Sequence, residues 1–91
     1  MKYRIVLTEQ AKEDYLFWKS SGNKSILNKI VRLLEDMSSH PYFGIGKPEA
    51  LKYSLSGYYW SRRINSEHRI VYRVLEDVIE IEVMAMRYHY K

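Results

Sequence analysis

Lys24-Ser25-Ile26-Leu27-Asn28-Lys29-Ile30-Val31-Arg32-Leu33-Leu34-Glu35-Asp36-Met37 repeats its apolar residues at helical spacing. Ile26, Leu27, Ile30, Val31, Leu34 and Met37 form a broad stripe, while Asn28, Lys29, Arg32, Glu35 and Asp36 point away from it. That pattern predicts a helix laid on a sheet, with the stripe as core. The breaker Ser20-Ser21-Gly22-Asn23 precedes it and His40-Pro41 stops it. Upstream, Ala11, Tyr15 and Trp18 again fall at helical spacing. Thr8 offers a hydroxyl to cap a helix from about Glu9 to Lys19, and Glu9 supplies negative charge in its first turn. Tyr3 to Leu7, before the cap, reads as a short strand.

Downstream the period changes from helix to strand. The segment from His40 to Pro48 holds two glycines, two prolines and no periodicity, as expected of an ordered connection over the surface. Strand-like runs follow at Leu51 to Leu55, Tyr58 to Ile64, His68 to Leu75 and Val78 to Arg87, punctuated by Ser56-Gly57, Asn65-Ser66-Glu67 and Glu76-Asp77. Short gaps favour antiparallel hairpins. The expectation is an α+β fold of βααβββ(β) order, occupying residues 1–91 as a single domain, with both helices on one face of a mainly antiparallel sheet and the other face open. Alternation in the His68–Leu75 run puts Ile70, Tyr72 and Val74 opposite Arg69 and Arg73. In the last run it buries Ile79, Ile81, Val83 and Ala85 and turns Glu80, Glu82, Met84 and Met86 outward. Continuing that parity sends His89 to the core side and Tyr90 to the open side, unless the chain bends after Arg87.

The chain has 91 residues, 46% of them hydrophobic, enough for one small core. It has no cysteine, so neither a disulfide framework nor a thiolate metal site can hold it together, and a reducing cytoplasm fits. The apolar stretch at the N-terminus is too short for a signal h-region or a membrane span. The net charge of +4 is concentrated: Lys47, Lys52, Arg62, Arg63, Arg69 and Arg73 face only Glu49 and Glu67 within one segment, and the remaining nine basic and nine acidic residues cancel. A positive field on one part of the surface favours a polyanion there. Interleaved Tyr53, Tyr58, Tyr59, Trp60 and Tyr72 point to RNA, because rings stack bases beside cations that hold phosphates, although such rings also serve as core.

A carboxylate at Glu49, the arginines of Trp60-Ser61-Arg62-Arg63 and Arg87, and an imidazole at His89 supply a base, cations and an acid. Taken alone, Glu49 after Pro48 reads as a surface ion-pair partner before it reads as a base, and His89 reads equally as an exposed bystander or an acid. His40 and His68 read as structural, and no two histidines have the close helical spacing of a zinc site, so no metal or other cofactor is expected.

Several motifs taken in order carry a resemblance. They are Glu13-Asp14-Tyr15 with Trp18, Gly44-Ile45-Gly46-Lys47-Pro48-Glu49-Ala50-Leu51-Lys52, Trp60-Ser61-Arg62-Arg63-Ile64, Glu67-His68-Arg69-Ile70-Val71-Tyr72 and Arg87-Tyr88-His89-Tyr90. Over nearly its full length the chain resembles the YoeB-type toxins of the RelE/ParE superfamily. The resemblance implies a metal-independent endoribonuclease that cuts messenger RNA in the ribosomal A site. It implies that Glu49 is the general base, His89 the general acid and Arg69 the cation on the phosphorane. Tyr90 would orient the scissile nucleotide, Lys52, Arg63 and Arg62 would bind phosphate, and Glu67 would orient Arg69. It further implies a YefM-type antitoxin as partner, a tendency to homodimerise, the ribosome and messenger as targets, no membrane, and DNA only through the antitoxin. The alternative within the same fold is a toxin that blocks the ribosome or DNA gyrase by binding, without cutting.

Overall fold

The computed structural model describes residues 2–51 and 59–87. Strand β1 (Arg4–Leu7) leads into helices α1 (Glu9–Ser21) and α2 (Lys24–Ser39), and strands β2 (Glu49–Ala50), β3 (Tyr59–Arg63), β4 (Arg69–Leu75) and β5 (Glu80–Ala85) follow. They form one five-stranded sheet in the order β1-β5-β4-β3-β2. Among the described strands only the β1–β5 pairing is parallel, with Ile5 opposite Ile81 and Leu7 opposite Val83. The fold is therefore α+β with two helices packed on a mostly antiparallel sheet, as the change of period predicts. The expected strand from Leu51 to Leu55 falls almost wholly outside the described residues.

Local chemistry explains the boundaries. Thr8 caps α1 by accepting from the Ala11 N–H at 3.2 Å, and its hydroxyl also lies 3.1 Å from the Val83 and Met84 carbonyls, so the cap ties the helix start to β5. Gly22 closes α1 in the left-handed region at φ 78°, where a side chain would be strained. Asn23 starts α2 through its side-chain oxygen and the Ile26 N–H at 3.1 Å.

Between the helices and the sheet lies one apolar cluster that includes Trp18, Ile30, Leu33, Met37, Ile70, Tyr72, Ile81, Val83 and Met86. Leu33 takes the buried place in α2 expected of Val31, which is 40% exposed. Two expectations for the last strand fail for identifiable reasons. Ile79 sits at φ 53° in the turn before β5 and is not a strand residue. Tyr72 pairs with Val83 but Val71 with Ala85, so Met84 is an extra residue, a β-bulge. The bulge reverses the alternation: Ala85 joins the face of Val71, and Met86, expected outside, is fully buried in the core.

Helix α1 grips the chain just after the bulge. The Asp14 carboxylate accepts the Met86 N–H at 2.9 Å, and the Trp18 indole donates to the Met86 carbonyl at 2.9 Å. Both backbone groups of one residue are thus satisfied by one helix. Asp14, only 3% exposed, also accepts from the Gln10 amide at 2.9 Å, so its burial is compensated.

Candidate functional site

On the sheet face away from the helices, strand pairing assembles a small polar group. Glu49 stands opposite Ser61, Ser61 opposite Val71, and Arg63 opposite Arg69. Arg69 and Ser61 are diagonal neighbours on adjacent strands, within reach of a long side chain. One terminal nitrogen of Arg69, Nη1, donates to Ser61 Oγ at 3.0 Å and lies 2.9 Å from Glu49 Oε1. The Arg69 side chain is 14% exposed against 59% for Glu49, so the cation is seated in the sheet and the carboxylate reaches into solvent. An ordinary exposed ion pair is worth little. This one differs because a buried hydroxyl fixes the cation. Arg63 stands exposed beside Arg69, and further along the same face Arg73 Nε donates to Glu82 Oε1 at 2.7 Å.

The loop that delivers Glu49 follows an unusual path. Gly44, Gly46 and Lys47 have φ of 124°, 80° and 51°. At Gly46 a Cβ would meet Leu33 Cδ2 at 2.6 Å and the Arg63 carbonyl at 3.1 Å, so the loop backbone lies directly on the core. The Gly46 carbonyl accepts from the Arg63 N–H at 2.7 Å, joining loop to β3.

Two residues singled out from the sequence have other duties. Arg62 cannot bind phosphate here, because it is fully buried on the helix side of β3. There it pairs with Asp36 at 2.5 Å and donates to the Phe43 carbonyl at 2.9 Å and the Ile45 carbonyl at 3.2 Å. Glu67 does not orient Arg69: its exposed carboxylate lies 3.7 Å from the His68 imidazole, and Arg69 takes its direction from Glu49 and Ser61. Lys52, His89 and Tyr90 lie outside the described residues, as do Tyr53 and Tyr58. Tyr72 is fully buried and offers no free face for a base, Trp60 is partly buried against the core, and Tyr59 lies under the Arg73 guanidinium at 6.0 Å. His68 is the structural residue expected, edge-on to Trp18 at 4.8 Å between ring centroids.

Sequence reasoning missed Ser61 and Asp36. Ser61 had a signal: in a strand it shares the face of Arg63, two residues on. Asp36 had none, because on the helix it follows polar Glu35 and its partner lies 26 residues away.

Burial raises the Asp36 carboxyl, but the Arg62 hydrogen bond, the Ile45 N–H and the charges of Arg62 and His40 outweigh it and hold the group below its ordinary value of 3.8. Burial also pushes the Tyr42 phenol up to about 12, helped by its hydrogen bond to Glu76. Tyr42 is therefore a neutral donor throughout the physiological range.

Two helices on one face of a mostly antiparallel sheet make a small α+β fold that several solved proteins share. Over 96% of this chain and 99% of its relative, it is 45% identical to Toxin YoeB of Escherichia coli K12. A structure titled as the YoeB dimer of Staphylococcus aureus superposes with a TM-score of 0.85 at 40% identity, covering 99% of this chain and 100% of that one. A YoeB–YefM complex from the same organism gives 0.80 at 41% identity over the same shares. Residues 7–90 match the family described as YoeB-like toxin of bacterial type II toxin-antitoxin system. The chain belongs to that family, and is a toxin of a type II toxin–antitoxin system.

Proposed function

We propose that this toxin is a ribosome-dependent endoribonuclease that cleaves messenger RNA in the A site and so stops translation. The observation that carries this reading is the Glu49–Arg69 pair, 2.9 Å apart and braced by Ser61 on the sheet face away from the helices. Glu49 takes the proton from a ribose 2′-hydroxyl, whose oxygen attacks the adjacent phosphorus. Arg69 leaves Glu49 for the phosphate and stabilises the charge of the phosphorane. Arg63, beside it, and Lys52 hold neighbouring phosphates. His89 protonates the departing 5′-oxygen and Tyr90 orients the nucleotide, leaving a 2′,3′-cyclic phosphate and a free 5′-hydroxyl. Nucleophile, base, acid and cation all come from RNA and side chains, so the step uses no metal.

A YefM-type antitoxin is the partner that restrains the toxin by covering the basic face, and the toxin homodimerises. Its work is cytoplasmic, at the ribosome, and it meets DNA only through the antitoxin. Among the described residues no helix is long and apolar enough to cross a membrane.

The test is primer extension on messenger from actively translating ribosomes, using wild-type protein and folded Glu49→Gln and His89→Gln variants. New 5′ ends within A-site codons that vanish in both variants are expected. Arrest without new ends would instead identify a toxin that blocks by binding.

A further inference from the structure

The loop from His40 to Pro48 has three left-handed residues and no regular pairing along its length, yet Glu49 at its end must meet Arg69 within hydrogen-bond distance. What orders it is one guanidinium. The five N–H donors of Arg62 meet five acceptors: the His40 carbonyl, the Phe43 carbonyl at 2.9 Å, the Ile45 carbonyl at 3.2 Å, Asp36 Oδ2 at 2.5 Å and the Tyr72 hydroxyl at 3.2 Å. The Tyr72 hydroxyl donates in turn to the Pro41 carbonyl at 2.8 Å, and Asp36 accepts the Ile45 N–H at 3.1 Å. Four carbonyls of the loop are thereby tied to side chains of β3 and β4, and one of its N–H groups to a side chain of α2. Gly44 fits the same arrangement, because a Cβ there would come 1.9 Å from the Asp36 carboxylate.

Among the described residues β2 spans two, and its partner is β3, with Glu49 opposite Ser61 and Ala50 opposite Trp60. Ser61, Arg62 and Arg63 are consecutive, with Ser61 holding Arg69 on the face away from the helices while Arg62 holds the loop on the other. One strand is therefore the common reference for both partners of the pair. We propose that Asp36, Arg62 and Tyr72 form a positioning cluster that sets where Glu49 stands relative to Arg69. The importance of that position for cleavage rests on the functional reading above, whereas the placement itself does not.

The experiment uses Tyr72→Phe, which removes only a hydroxyl, and Asp36→Asn, each compared with wild type by amide exchange and by cleavage. The Ile45 amide reads the loop directly, and the Leu51 amide, bonded to the Tyr59 carbonyl at 2.8 Å, reads the backbone just beyond Glu49. Exchange at both is expected to quicken by about 10-fold or more, and by more than at the amides of Ile81 and Val83 in β5, which report the global stability of each variant. Under saturating ribosomes the first-order cleavage constant, which unlike its amplitude does not depend on the folded fraction, should fall about 10- to 100-fold. Faster exchange at Ile45 with Leu51 unchanged would overturn the proposal, since the cluster would then hold the loop but not Glu49. So would an unchanged first-order constant in both variants. If wild-type protein cuts nothing, the catalytic reading fails while the exchange measurements still decide the placement.

Discussion

Two neighbouring arginines, chemically identical, have opposite fates because a strand turns successive side chains to opposite faces. Arg62, between Ser61 and Arg63, falls on the parity of Trp60 and Ile64 and goes inside, where five acceptors, Asp36 among them, compensate its burial. Arg63 stays outside beside Arg69. Charge counting alone treats the two as one basic patch, and strand parity separates them. The same parity puts Ser61 on the side of Arg63. Replacing Ser61 with Ala removes one acceptor from Arg69 while leaving Glu49 in place. The expected result is a fall in cleavage of roughly 10-fold, the order of a single hydrogen bond to a charged group, with a melting temperature close to wild type. Parallel melts and single-turnover assays check this, and undiminished cleavage would show that Glu49 alone sets Arg69.

At the scale of elements, both helices and most strands are legible because each is announced by a cap, a breaker or a change of period. Thr8, Gly22, Asn23 and Pro41 mark the helix ends correctly. The bulge at Met84 has no such mark, since neither Met84 nor its neighbours are glycines, and it reverses the burial of Ala85 and Met86. What fixes the reversed register is tertiary: Asp14 and Trp18 take both polar groups of the Met86 peptide. Asp14→Ala would leave the Met86 N–H buried without an acceptor, at a cost of about 1–3 kcal/mol, whereas Asp14→Asn keeps an oxygen in place. Urea titration should show the larger loss in the alanine variant. Equal stability of the two would mean that water replaces the lost acceptor.

Across the whole molecule, charge is sorted by face. The sheet carries Glu49, Arg63, Arg69 and Arg73 on one side, while the helix side conceals an ion pair, Asp36 with Arg62. The candidate site was half legible: Glu49 and Arg69 were found as residue types, but their meeting depends on a loop whose course is written in distant contacts. The hidden pair ties stability to pH. Asp36 titrates below 3.8 when folded, so its stabilisation is present at neutral pH and down to about the unfolded value. It is lost as pH falls further, through the lower folded value. Wild type should therefore lose urea resistance steeply below about pH 4, and Asp36→Asn should start lower and lose less over that range. Parallel acid limbs in the two proteins would show that other carboxylates govern the transition.

The parallel pairing of β1 with β5 also has a temporal meaning. Strand β5 is the last made of the five and lies between β1 and β4, so the N-terminal strand and the hairpins have no common sheet until it has been synthesised. Contacts such as Ile5 with Ile81 close across almost the entire chain, the slowest kind to form. A chain released early, without β5, lacks the strand that joins its two halves. Interrupted synthesis before β5 therefore yields fragments without a joined sheet, and the topology itself delays maturity until that strand has been made.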